Sequence, residues 1–281
     1  MKKCAIITNS VSDLSPSLSE KYGVMVIPDV VIFEDHEYLT NIDIDPPMLY
    51  RLMRDHPKLP TTSHPNQDIY MEYYAKAAEY DEILCITVTS VMSGSGSTAA
   101  LAAKMMQEKG FRPKIYLFDS LQVSYGLAYL AIEAAKMAQQ GLGALEIIAH
   151  LDQIRDKVGS YFCMNTLENA RKGGRIGEVK SLTADLLGIK PVLSFRGGTV
   201  KELGIARNFD SAIHRIFKLY KYRAKKGGLV FVCHSNHEEV AQRLREQLLR
   251  LDPDAEILVE WIGVAIGIYT GERTVGLIFG E

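Results

Sequence analysis

Apolar residues in the first half of the chain fall into short continuous runs, separated by segments with helical spacing. Cys4 to Thr8 reads as a buried strand. Ser12-Asp13-Leu14-Ser15-Pro16 is helix-cap chemistry with Pro16 suited to the first turn, and the helix it opens runs to Tyr22 and stops at Gly23. Val24 to Ile27 follows as a strand. Ile83 to Val88 is almost wholly apolar, as befits a parallel strand covered on both faces. Ser97 to Lys109 reads as a helix with Leu101, Met105 and Met106 on one face and Gly110 past its end. Ile115 to Phe118 is a strand, and Leu127 to Gln140 a long helix stopped by Gly141. This alternation predicts parallel pairing through crossover helices.

The second half has a different texture. Leu145 to Val158 reads as a helix ended by Gly159, which sets a boundary between a first domain, residues 1–159, and a second, residues 160–281. Tyr161 to Met164, Pro191 to Phe195, Leu229 to Cys233, Ile257 to Trp261 and Thr274 to Phe279 are candidate strands. Gly197-Gly198 between two β-like runs reads as a hairpin turn, which requires antiparallel pairing. The expected fold is therefore α/β. It has an N-terminal domain with a mostly parallel sheet and flanking helices, and a C-terminal domain with a mixed sheet and helices. The chain shows no repeat, low-complexity tract or flexible linker, so the two domains are expected to pack closely.

Composition narrows the classes. Of 281 residues 47% are hydrophobic, which excludes a disordered chain. The 34 acidic and 32 basic residues leave a net charge of -2, so there is no bulk attraction for nucleic acid or an anionic membrane. The apolar run after Lys3 is too short for a signal peptide, and no run approaches the ~18 residues of a membrane span. A cytoplasmic, soluble protein without stable membrane insertion is expected. Cys4, Cys85, Cys163 and Cys233 are far apart in apolar runs and read as reduced core thiols, with no paired ligand spacing for zinc.

Four segments carry candidate chemistry. Thr87 to Thr98 lies between a buried strand and a helix. Gly94 and Gly96 permit close backbone approach, and the hydroxyls of Ser93, Ser95 and Ser97 with helix-start N–H groups suit an anion; a simple helix cap is the plainer alternative. The same glycines fit G-x-G-x-x-A with Asp119 about twenty residues on, the spacing of a dinucleotide-dependent oxidoreductase, although Thr89 to Ser93 intervene after the strand. Pro60-Thr61-Thr62-Ser63-His64-Pro65 is stiff and hydroxyl-rich, either a cap for a helix from Gln67 to Tyr80 or a second wall of hydroxyls. Arg171-Lys172-Gly173-Gly174-Arg175-Ile176-Gly177 combines cations with glycines, as a helix C-terminus or an anion clamp would, and Arg207 is a further isolated cation. In His234-Ser235-Asn236-His237-Glu238, Ser235 and Glu238 form a capping box before the apolar series Val240, Leu244, Leu248. No lysine follows the glycines to make a phosphate loop, no metal cluster is evident, and no G-x-S-x-G elbow occurs.

In order and spacing, several segments resemble the DegV family: Thr8-Asn9-Ser10 through Asp13-Leu14, Thr62-Ser63-His64-Pro65, Ser93-Gly94-Ser95, Phe118-Asp119-Ser120 and Ser124-Tyr125-Gly126. So do Leu167-Glu168-Asn169 with Gly173-Gly174-Arg175-Ile176-Gly177, then Ile189-Lys190-Pro191, and Gly267 to Gly271. The resemblance spans essentially the whole chain. It implies a non-catalytic protein that binds one long-chain fatty acid in a tunnel between its domains, with the fatty acid as ligand and no cofactor. It also implies a partner, the separate ATP-binding subunit of a fatty acid kinase, which phosphorylates the carboxylate and links the protein to phospholipid metabolism. A kinase-independent lipid sensor is the variant of that role. Thr62 and Ser93 would then bond the carboxylate near Gly94 and Ser95, and Arg175 and Arg207 would lie near the phosphate or face the kinase. The chain departs from the family pattern at Asn9, usually Asp, at His64, usually Gln, and at Tyr269, usually His. Tyr269 still offers one hydrogen bond to a carboxylate but carries no positive charge at neutral pH.

Overall fold

Strands that are apolar on both faces must be covered on both faces, and this chain does so by wedging helices between sheets. The computed structural model describes residues 3–56, 58–176, 179 and 188–281. In chain order the elements begin β1 (Cys4–Asn9), α1 (Pro16–Tyr22), β2 (Val24–Ile27), β3 (Val30–Phe33), β4 (His36–Leu39), α2 (Pro46–Asp55), β5 (Thr61–Ser63), α3 (Gln67–Lys76) and β6 (Glu82–Thr87). They continue with α4 (Ser95–Glu108), β7 (Lys114–Asp119), α5 (Ser124–Gln139), α6 (Ala144–Ile154), β8 (Val158–Cys163) and α7 (Glu168–Lys172). The last are β9 (Lys190–Arg196), β10 (Thr199–Ala206), α8 (Phe209–Arg223), β11 (Leu229–His234), α9 (Glu238–Leu251), β12 (Glu256–Trp261), α10 (Val264–Thr270) and β13 (Val275–Gly280).

A parallel sheet orders its strands β2-β1-β6-β7. A mixed sheet orders them β10-β9-β8-β13-β11-β12, with β11–β12 the parallel pair. A small antiparallel sheet, β4-β3-β5, stands apart from both. The α/β class, the parallel first sheet and the mixed second sheet agree with the expectation from pattern. Helix α5 joins the two large sheets: Leu127, Leu130, Ala131 and Ala134 are buried in one cluster with Ile6, Leu84 and Ile86 on one side and Phe231 and Ile278 on the other. Its alanines allow this double approach, and at Gly126 a Cβ would lie 2.8 Å from Ser160 Oγ of β8. Among the described residues no helix is long and apolar enough to cross a membrane. All four cysteines are buried and unpaired.

Several local expectations are corrected. Gly159 does not stop a helix: α6 ends at Ile154, and Gly159 is the second residue of β8. A Cβ there would lie 2.8 Å from Glu281 Oε1 and 2.9 Å from the Tyr161 ring, so glycine serves close packing. Strand β8 thus carries both residue 159 and residue 160. In α4 the buried face is Ala99, Ala102 and Ala103, while Leu101 is 51% exposed. The small residues bring α4 close enough to α3 for Tyr74 OH to donate to Ala99 O at 3.1 Å. Ser235 does not cap α9: its hydroxyl donates to Gly271 O at 2.6 Å and accepts from Thr274 N at 2.8 Å, tying β11 to the α10–β13 turn. The segment around Thr62 is strand β5, and α3 is capped instead by the Asn66 side chain, which accepts from Ile69 N at 3.0 Å. The hairpin is as expected, with Gly197 and Gly198 at φ +60° and +80° between β9 and β10.

The turn after β1 is pinned by a buried acid. Asp13 has φ +59°, its carboxylate accepts from Ser124 Oγ at the start of α5, and the Tyr125 hydroxyl lies 2.9 Å from Asp13 O and 2.7 Å from Trp261 O. Burial pushes the Asp13 carboxyl up from 3.8 to about 7, partly offset by the Ser124 bond. An acid whose folded value is raised binds more protons folded than unfolded. Its contribution to stability is therefore complete below the unfolded value and is lost as pH rises through the folded one. Asp13→Asn is expected to flatten the pH dependence of stability between these values and to raise it by about 1–3 kcal/mol at alkaline pH, read by urea unfolding.

Candidate functional site

The connections from β1 and β6 leave the parallel sheet in opposite directions, to β2 on one side and to β7 on the other. In such sheets a crevice opens beyond the carboxyl ends of the two diverging strands. Here it is bounded by the loops that follow β1 and β6, and it leads into a cavity of about 620 Å³. Lining residues come from the loops beyond the parallel sheet, from the mixed sheet and from the small one, running from Val11 through Ser124 and again from Ser160 through Ile278.

The exposed lining of the cavity is largely polar and its buried lining largely apolar, with Asp29, Ser160 and Thr274 the polar residues among the buried ones. Ser63, His64, Ser90, Gly94, Ser97 and Arg175 line it and are exposed, so they form the mouth. Val88, Tyr161, Leu193, Phe195, Cys233 and Ile278 line it and are buried, so they form the interior. The Tyr161 hydroxyl is held on Glu281 and by Arg196 and Arg223, which leaves its ring as the lining surface. Gly276 also lines the cavity, where a Cβ would lie 2.6 Å from Cys233 Sγ.

At the mouth, three elements meet on Tyr269 of α10. Its hydroxyl lies 2.6 Å from Thr62 Oγ1 on β5. Its ring packs on Gly173 so tightly that a Cβ there would lie 2.5 Å from two ring carbons. The Arg175 guanidinium sits 5.4 Å from the ring centroid, fixed by an Nη1 donation to Gly173 O at 2.8 Å. The left-handed Gly174, φ +69°, makes the turn that brings Arg175 back over Tyr269. On the opposite wall Ser93 Oγ accepts from Ser95 N at 3.2 Å, which leaves its own proton for an acceptor in the cavity. Gly94 precedes the first turn of α4, in which Ser95 N is taken by Ser93 Oγ and Ser97 N donates to Gly94 O at 3.1 Å. The β9–β10 turn braces this wall, with Thr89 Oγ1 donating to Gly198 O at 3.3 Å.

Thus Thr62, Ser93, Gly94, Arg175 and Tyr269 share one cavity. Ser95 does not line it: its side chain is buried and lies 2.5 Å from Tyr70 OH. Arg207 is exposed between β10 and α8, roughly 20 Å along the strand from the lining residue Val200. Gly177 lies outside the described residues. Of the groups in the dinucleotide spacing, Asp119 accepts from Ser90 N and Leu121 N, and Gly96 packs on β6, where a Cβ would lie 3.3 Å from Thr87 Oγ1. Among the described residues no group of three or more metal-ligating side chains comes together.

Asp29 is a lining residue that the sequence pattern did not single out. Its carboxylate accepts from Ser10 Oγ at 2.6 Å and Asn9 Nδ2 at 3.4 Å, and burial pushes its carboxyl up to about 6. The signal lay in Pro28-Asp29, an acid interrupting apolar runs on either side.

A family model described as "Uncharacterised protein, DegV family" matches residues 3–281. A structure of a DegV family protein from Thermus thermophilus, described by its fatty acid binding, superposes with a TM-score of 0.90 at 28% identity, covering 99% of this chain and 100% of that one. DegV of Bacillus subtilis, described as a fatty acid binding protein, superposes with a TM-score of 0.89 at 28% identity, covering 99% of each chain. A DegV domain-containing protein of Clostridium perfringens is 31% identical over 283 residues, 98% of each chain.

The Tyr269 ring is the keystone of the mouth, and Gly173→Ala is expected to displace it. The substitution should cost about 1–3 kcal/mol of stability by overpacking, read by urea unfolding, and should separate Tyr269 from Thr62 in a crystal structure of the variant.

Proposed function

Since the chain belongs to the DegV family, we propose that it binds one long-chain fatty acid, with the tail in the cavity and the carboxylate at the Thr62–Ser93 mouth, and presents that head group to a separate ATP-dependent fatty acid kinase subunit. The observation that carries this reading is the polarity of the cavity: hydroxyls, amides and a guanidinium at an exposed mouth, and a mostly apolar, buried interior. In this reading the cavity is a tunnel between an N-terminal unit ending near residue 159 and a C-terminal unit beginning near residue 160, in a cytoplasmic protein.

The energetics suit such a ligand. A carboxylate leaving water needs several donors, and Thr62, Ser93 and Tyr269, beside the Gly94 start of α4, supply them. At ~0.8 kcal/mol per methylene, about fourteen methylenes contribute roughly 11 kcal/mol as an upper bound before ordering costs. The tail then supplies affinity and the mouth supplies orientation. Because the mouth is the exposed end, the carboxylate stays within reach of a second protein. Arg175, exposed beside Tyr269, is placed to meet the charge that grows when the carboxylate is phosphorylated.

Protein purified from a bacterial host is expected to release a fatty acid of about fourteen to eighteen carbons on denaturation, seen by mass spectrometry. Thr62→Ala and Ser93→Ala should each weaken binding by about 1–3 kcal/mol, read by displacement of a fluorescent fatty acid. Unchanged affinity in both would remove the head-group assignment. Mixing the loaded protein with ATP and the ATP-binding subunit of a fatty acid kinase should yield acyl phosphate, and its absence would leave a lipid sensor.

A further inference from the structure

His64 stands at the mouth without a task in the fold. Its imidazole lines the cavity and makes no hydrogen bond or ion pair among the described residues. It follows Thr62 by two positions at the end of β5, and alternate residues of an extended chain face the same side. Across the mouth it meets the opposite wall, where a Cβ on Gly94 would lie 3.4 Å from His64 Cε1 and 3.7 Å from Nε2. The ring therefore lies on the Ser93–Gly94 turn, within reach of the place assigned to the ligand's carboxylate.

Resting on the fatty-acid reading above, we propose that His64 is a charge-dependent contact for the acyl head group: protonated, it pairs with the carboxylate and favours acids over uncharged lipids of equal length. Among the described residues, the other charged groups facing the cavity are Arg175 and Asp29, and the other titratable ones are Tyr161, Tyr269 and Cys233. Arg175 keeps its charge throughout and so contributes a constant attraction. Burial raises Tyr161 and Cys233 further from neutrality. Histidine changes charge between about pH 5 and 8, and Asp29 ionises as pH rises. Both changes weaken anion binding in the same direction, so the two must be separated by variants.

The experiment displaces a fluorescent long-chain fatty acid with palmitate and with hexadecanol, at about pH 5.5 and about pH 8.5, from wild type, His64→Gln and Asp29→Asn. Wild type is expected to bind palmitate about three- to tenfold more weakly at the higher pH, with little change for hexadecanol. His64→Gln should lose most of that pH dependence and part of the preference for the acid, while Asp29→Asn keeps most of the dependence and all of the preference. A full wild-type dependence in His64→Gln, or its loss in Asp29→Asn, would overturn the role of His64 while leaving fatty-acid binding intact. Failure of palmitate to displace the probe from any of the three proteins would overturn the fatty-acid reading itself.

Discussion

The parallel sheet changes direction between β1 and β6, and a largely apolar cavity lies beyond that point; in the proposed reading it reconciles the contradictory demands of a carboxylate tied to a long hydrocarbon. That point has to exist in any sheet whose first strand lies inside it. Here it puts the amide-rich starts of the β1 and β6 loops side by side, and everything else closes around them. The small β4-β3-β5 sheet brings Thr62 and His64, α10 brings Tyr269, and the turn after α7 brings Arg175. In the proposed reading, hydroxyls hold the anion without fixing an opposite charge inside the interior, where a lone cation would be costly to desolvate.

The walls are held by contacts that leave little room for side-chain variation. Helix α5 is gripped by both large sheets, and Gly126, Gly173, Gly198 and Gly276 stand where a methyl group would strike a neighbour. Around the crevice two acids are buried in hydrogen-bonded turns, Asp13 against Ser124 and Asp29 against Ser10 and Asn9. Each raises its affinity for a proton by being buried, so the loop after β1 becomes more strained electrostatically as pH rises.

Much of the architecture was legible in the sequence because apolar runs, caps and glycine stops follow local rules. Ser15, Gly23, Gly110 and Gly141 end or begin helices where pattern places them. What was not legible depends on tertiary proximity. Gly159 looks like a helix stop in one dimension, but its neighbour Glu281 is 122 positions away. Leu101 yields its place to alanines because the tyrosines of α3 demand close approach. Strands β3 and β4 are four residues long, with β4 carrying exposed His36 and Glu37, too short and too polar to stand out. At the site, clustered hydroxyls flagged Thr62 and Ser93, whereas the lone Asp29 gave no pattern, and only the coordinates separate Ser95, turned into the core, from Gly94 beside it.

The order of strands in the mixed sheet has a further consequence. Strand β13 is the last of the six in sequence yet lies between β8 and β11, where it supplies Gly276 and Ile278 to the cavity. Its pairing with β8 joins residues more than a hundred positions apart, a slow, non-local step in folding. During synthesis on the ribosome the parallel sheet can form while the other wall is still an open edge. If the cavity holds a lipid as proposed, capture must therefore await release of nearly the whole chain, since the nascent protein has no closed chamber with which to trap a tail.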